Sequence, residues 1–179
     1  YTSAAFPYLT ITKPFSLLGG WDCAATGDIV VDPAAYETVL DAEEGGSIFA
    51  VYNAAGGRIT ISGFTFQNGN SYNSGGAIYV NSGMVDIIDN GFNGNQADDF
   101  GGAIAVDAGE DVRIIGNSFA NNEAQYGGGN IYLASSNPET TVHRVEHNKI
   151  YGGLSNYGAA IHVSGVNAVI NANLIQGTG

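Results

Sequence analysis

The chain has 179 residues and a net charge of −12, and only 12% of its residues are charged, about half the ~25% of an ordinary soluble domain. Five Lys and Arg in all cannot neutralise a phosphate backbone, which excludes a nucleic-acid partner and an anionic membrane surface with it. No apolar stretch approaches the ~20 residues of a membrane helix, and the lone Cys23 excludes an intrachain disulfide framework.

The length fits one domain spanning 1–179, with solubility carried by Asn, Ser, Thr and Gly rather than by charge. No basic region followed by an apolar stretch opens the chain, and a start at Tyr1 fits a processed or trimmed product. Residues 1–55 are irregular. Leu9 to Leu18 and Val39 to Val51 alternate as strands of one or two turns, and a loop excursion runs from Gly19-Gly20-Trp21-Asp22 to Pro33 between them.

From about residue 56 onward the chain repeats. Apolar pairs stand at Ile59 and Ile61, Val85 and Ile87, Val112 and Ile114, His143 and Val145, and Ala168 and Ile170. Each is followed by one large apolar residue, at Phe66, Phe92, Phe119, Ile150 and Ile175, the last opening a further copy. Then comes a glycine-rich strand: Gly75-Gly76-Ala77-Ile78, Gly101-Gly102-Ala103-Ile104, Gly128-Gly129-Asn130-Ile131 and Gly158-Ala159-Ala160-Ile161. The isoleucines recur after 26, 27 and 30 residues, and the longest spacing holds a loop insertion at Ser135-Ser136-Asn137-Pro138. A fixed period of this size is the mark of a solenoid; it is too short for a propeller blade and lacks the leucine consensus of a horseshoe repeat. Three short strands per repeat and no helical period predict an all-β, right-handed, single-stranded parallel β-helix with three sides. About seven turns at ~4.8 Å would make a column of about 35 Å.

Two positions before the large apolar column, Phe64 is followed by Asn90, Asn117, Asn148 and Asn173. Aligned asparagines predict a structural ladder, with side-chain amides bonding from turn to turn and with left-handed turns tolerated.

At these residues the chain resembles the secreted bacterial right-handed parallel β-helix repeat proteins. Residues 56–179 are similar to the polymorphic outer-membrane and autotransporter passenger adhesins, whose repeats carry Gly-Gly-Ala followed by Ile, Leu or Val, and Phe-x-x-Asn. Gly75 to Ile78 and Gly101 to Ile104 match the first motif, and Phe92 to Asn95 and Phe119 to Asn122 the second. The resemblance implies an extracellular protein of the bacterial cell surface, in a group where adhesion and scaffolding are common and enzymes also occur.

Candidate chemistry is sparse. The outward column Thr60, Asp86, Arg113, Arg144, Val169 holds the one set fit for a polysaccharide lyase, with Arg113 as base, Asp86 beside it, and Asp89, Glu110 or Asp111 supporting a Ca²⁺ ion. An ion pair between neighbouring strands explains Asp86 and Arg113 equally well. Asp98-Asp99 is the best candidate for the paired carboxyls of a glycoside hydrolase; a solvated turn is the competing reading. No cofactor is expected, and Ca²⁺ at Asp41, Glu43 and Glu44 or at Asp98 and Asp99 is the weak alternative. His143 and His147, ~13 Å apart on one strand, cannot share a metal ion unless the chain bends. Tyr79, Tyr132 and His162 form an outward surface fit for a sugar or a partner, with Tyr72, Phe100, Tyr126 and Tyr157 ahead of the glycine-rich strands; shielding of the glycine backbone is the alternative.

No helix closes either end of the column, and the last turn runs out at Gln176-Gly177-Thr178-Gly179. Open ends fit either a chain cut from a longer solenoid or copies that stack head to tail into a filament. The sequence therefore favours a non-enzymatic structural or adhesive scaffold. Its partners would be further copies of itself or cell-surface and matrix components, polysaccharide among them. A carbohydrate-active enzyme and a sugar-binding module are the alternatives.

Overall fold

The computed structural model describes residues 7–22, 24, 30–53, 55–137 and 139–177; Tyr1, Cys23, Pro138 and the Thr178-Gly179 end lie outside the described residues. Strands stack in three parallel faces. The first comprises Leu9–Ile11, Phe49–Tyr52, the start of Ile78–Ile88, Ile104–Val106, Ile131–Leu133 and Ile161–Val163. The second comprises Ser16–Leu18, Arg58–Ser62, the end of Ile78–Ile88, Gly109–Ile115, Val142–Glu146 and Asn167–Asn171. The third comprises Thr38–Asp41, Phe64–Gln67, Gly91–Asn93, Ser118–Ala120, Lys149–Tyr151 and Leu174–Gln176.

The column has about five turns, not seven. The physical reason is the excursion after Leu18, which takes up chain between the first two strands and the third without adding a layer. Two further differences follow from the path of the chain. Ile78–Ile88 runs as one strand through a corner, so the first two faces join. A two-residue strand, unforeseen in the sequence, appears at Asn70–Ser71, Gln96–Ala97 and Glu123–Ala124 beside the glycine-rich segment.

Inward columns make the core. Ile61, Ile87, Ile114 and Val145 align on the second face, and Phe66, Phe92, Phe119 and Ile150 on the third, all fully or almost fully buried. Five residues separate the inward columns of the second and third faces in every regular copy, from Ile61 to Phe66, Ile87 to Phe92, Ile114 to Phe119 and Val145 to Ile150, which keeps these side chains in register; the differences in repeat length fall mainly between the first and second faces. The Phe92 ring lies 5.1 Å from Phe66 and 4.9 Å from Phe119, tilted by only 7° and 9°.

The glycine pair has two separate tasks. Gly75, Gly101, Gly128 and Gly158 turn with φ between 59° and 72°, a left-handed conformation costly for other residues. Gly102, next in the chain, lies so close to the neighbouring layers that a Cβ would stand 2.3 Å from the Gly129 carbonyl oxygen.

The corner between the second and third faces also needs a left-handed residue. It falls one position before Phe64 and before each ladder asparagine, not on the asparagine: Gly63, Asp89, Gly116, His147 and Ala172 have φ of 78°, 52°, 71°, 57° and 52°. Ala172→Gly removes a left-handed penalty of ~1–2 kcal/mol at an entropic cost of ~0.5–1 kcal/mol, so a net gain of roughly 0.5–1 kcal/mol is expected. Gly116→Ala reverses the sign, because it places a Cβ at a left-handed φ of 71°. Urea unfolding midpoints of the two variants check this pair: they should move in opposite directions.

Candidate functional site

The outward column of the second face has the register Thr60, Asp86, Arg113, Arg144, Val169. The direct partner of Asp86 is nevertheless Arg58, at 2.6 Å, whereas Arg113 Nε stands 4.0 Å away. Arg113 pairs with Asp111 at 2.8 Å, and Arg58 also donates to Asp111. Arg58 was not legible as a member because its own column partner is the apolar Met84; its long side chain reaches past Met84 to the layer beyond. The result is a network of two arginines and two aspartates that ties three layers together. Arg144 stands aside, 3.9 Å from Glu146.

Hydrogen bonding to Asp111 raises the Arg113 pKa further above its ordinary value. A proton-abstracting arginine needs the opposite shift. Partial burial pushes the Asp111 carboxyl up, but hydrogen bonds and charge from Arg113 and Arg58 outweigh it and hold the group below the usual carboxylate range.

The histidines do not converge. His143 is fully buried on the second face, where Nδ1 accepts the Val112 N–H at 3.2 Å and Nε2 lies 3.0 Å from the Ala134 carbonyl oxygen. This fixes the neutral tautomer with the proton on Nε2. His147 is not on the strand at all, but is the left-handed corner residue after it. No group of three His, Cys, Asp or Glu residues fit to hold a metal ion occurs among the described residues. In the acidic loop, Asp41 accepts from the Glu43 backbone N–H, Gln67 and Asn68, which together lower its pKa.

Burial drives the His143 pKa below 6.5 against the pull of the Ala134 carbonyl and Asp111. The unfolded chain then takes up a proton that the folded chain refuses, so stability falls as pH drops through and below about 6.5. Asp111, with its depressed pKa, adds a second loss as pH falls through and below 3.8. Thermal unfolding across pH 7.5 to 3 should show both steps, and His143→Asn, though less stable throughout, should abolish the upper one.

The aromatic surface is partly closed. Ala50, Tyr79, Ala105, Tyr132 and His162 form one outward column of the first face. Phe100 stacks on Tyr132 with centroids 4.5 Å apart, and His162 meets Tyr132 edge-on at 5.4 Å. Tyr132 is consequently only 9% exposed, too covered to serve as a platform for a sugar ring. His162 packs on Gly127, whose Cβ would lie 2.0 Å from Nδ1. Tyr79 is half-buried, and its hydroxyl donates to Asp107 at 2.7 Å. Tyr72, Tyr126 and Tyr157 are exposed. Asp98 is exposed while Asp99 is half-buried beside Tyr79 in a surface groove.

The asparagines occupy the interior. Asn90, Asn117 and Asn148 are buried, and each side-chain oxygen accepts the backbone N–H of the residue one layer before: Phe64 to Asn90 at 3.0 Å, Asn90 to Asn117 at 2.9 Å, Asn117 to Asn148 at 2.8 Å and Asn148 to Asn173 at 2.9 Å. Each side-chain amide donates to the next asparagine, at 3.1, 3.0 and 3.0 Å. A second ladder runs through Asn95 and Asn122, the asparagines of the Phe-x-x-Asn motif, and ends on Asn130. Asn130 is the residue that breaks the Gly-Gly-Ala motif. Gly153 occupies the next motif position, and a Cβ there would stand 2.4 Å from Asn130 Nδ2, so the Asn130 amide fills the place that glycine leaves free.

Compared with known proteins, the chain matches no family model, no curated protein and no solved structure.

Proposed function

We propose that the protein is a non-enzymatic structural and adhesive β-solenoid of the bacterial cell exterior. The observation that carries this reading is the Arg58, Asp86, Asp111, Arg113 network: the residues best suited to lyase chemistry neutralise one another across three layers. They act as cross-ties between turns. The sparse charge, the asparagine-rich interior and the resemblance to surface-exposed repeat proteins support an extracellular setting. The lyase alternative makes a direct demand. Incubation with acidic polysaccharides and Ca²⁺ should yield no unsaturated sugar ends; their appearance, and loss with Arg113→Ala, would overturn the reading.

A second feature favours axial association with further copies. Ile170 and Ile175 of the last described layer are about half exposed, although they stand in core columns. Leu17 and Leu40 occupy the same columns in the first layer and pack only partly against the core. Stacked head to tail, a second copy would set Leu17 over Ile170 and Leu40 over Ile175, extending the apolar columns and pairing the open strand edges. Negative-stain electron microscopy of the unconcentrated protein should show fibres with a subunit repeat of about 24–29 Å, five to six layers at ~4.8 Å. Ile175→Asp should reduce them to single rods. A wild-type protein that forms only discrete rods would remove axial association from the proposal.

A further inference from the structure

Outward side chains on the first face interlock by size. Ala105 shares its layer with the large Phe100, whereas Tyr132 shares its layer with Gly127, onto which His162 packs from the next layer. Toward the first layers no large side chain fills the place that Phe100 takes. Ser74 stands four residues before Ile78, where Phe100 stands four before Ile104, and the next outward residue toward the first layer is only Ala50. Two small side chains coincide, and a groove of about 360 Å³ opens between Tyr52, Tyr79, Asn73, Asp99 and Asp107.

The groove has an apolar wall and a polar rim. Tyr52 is 42% exposed and meets Tyr79 edge-on at 6.2 Å. Tyr79 donates to Asp107 Oδ2 at 2.7 Å and accepts from Asn81 Nδ2 at 3.3 Å. Burial, opposed by the Asn81 bond and reinforced by Asp107, pushes the phenol up to about 12, so it remains a donor and fixes the Asp107 carboxylate. Asp107 Oδ1 and the Asp99 carboxylate accept no hydrogen bond among the described residues, which leaves acceptors in a groove that Tyr52 also lines.

We infer that this groove binds a neutral, hydroxyl-rich saccharide, with a sugar ring against Tyr52 and its hydroxyls donating to Asp99 and Asp107. A carboxylate is a strong acceptor for hydroxyl donors, and a pyranose presents an apolar C–H face to an aromatic ring while its hydroxyls point outward. The net charge of −12 and the two rim carboxylates repel uronates and sulfated sugars. The inference rests on the adhesive part of the proposed function and is independent of axial association.

Calorimetric titration of the whole chain with neutral gluco-, manno-, galacto- and xylo-oligosaccharides, and with oligogalacturonate, tests it. At least one neutral series should bind and oligogalacturonate should not. Tyr52→Ala and Asp99→Asn should each weaken binding at least about tenfold, ~1.4 kcal/mol, and Asp99→Asn should do so without changing the unfolding midpoint. Asp107→Asn should do the same, since its amide donates where the carboxylate accepted. Binding of the acidic series alone, undiminished binding in both Tyr52→Ala and Asp99→Asn, or no binding by the folded protein would each overturn the assignment. Electron microscopy of the same variants separates the two proposals: groove variants should assemble like the wild type, and a failure of assembly with sugar binding intact would leave the groove assignment standing.

Discussion

Asn117→Ala is expected to destabilise the protein by about 3–4 kcal/mol, because each buried polar group left unsatisfied costs ~1–3 kcal/mol. The Asn117 side chain accepts from both the backbone N–H and the side-chain amide of Asn90, and its own amide donates to Ile87 O, Ile115 O and Asn148 Oδ1. Alanine deletes all five bonds at a site 1% exposed. The Asn90 N–H then has neither a partner nor water. Asn117→Asp makes a sharper test: it keeps the acceptor for Asn90 but turns a charged oxygen toward the two carbonyls. At pH 7 it should destabilise at least as much as alanine, and relative to wild type at the same pH it should recover at pH 4.5, where the buried carboxyl protonates. Urea unfolding curves at both pH values measure this. A loss below ~1 kcal/mol for Asn117→Ala would mean that water replaces the amide and that the ladder is ornamental.

Phe92→Ala is expected to cost about 3–5 kcal/mol, the range for deleting a fully buried aromatic side chain. The ring is 1% exposed and stacked on both sides, so two stacking contacts of ~0.5–1.5 kcal/mol each disappear with it. Phe92→Leu keeps most of the volume and loses the stacking, and should cost less than half as much. Because layers in a solenoid couple chiefly to their neighbours, the local damage should reach Phe66 and Phe119 first. Hydrogen exchange should show lost protection there before it shows any in the first layer.

The columns were legible because a solenoid writes its period directly into the chain: Ile78, Ile104 and Ile131 pair residue for residue as the spacing implies. The first ladder was legible for the same reason. The second was not, because it changes position in the repeat, passing from Asn95 and Asn122 to Asn130 eight residues on; a spacing of 27 between Asn95 and Asn122 was the available signal. Arg58 carries no signal in the columns because register predicts which Cα atoms are neighbours, whereas a long side chain can skip a layer. The covering of Tyr132 by Phe100 depends on a turn between strands, and turn geometry carries no period. The shortfall in turns arose where the period itself is interrupted, between Leu18 and Thr38.

The two asparagine ladders and the arginine network also set how the molecule would respond to tension. All of them run along the stack, so a pull applied between the two ends of the chain loads one layer at a time and not the whole interface. Each layer of the regular repeats that peels away frees 26 to 30 residues, or roughly 90–110 Å of extended chain at ~3.3–3.6 Å per residue. Drawn out in this manner, the protein would lengthen in near-equal steps, each layer absorbing work separately while those beneath it stay folded. In the adhesive role proposed above, that would be the behaviour of a shock absorber.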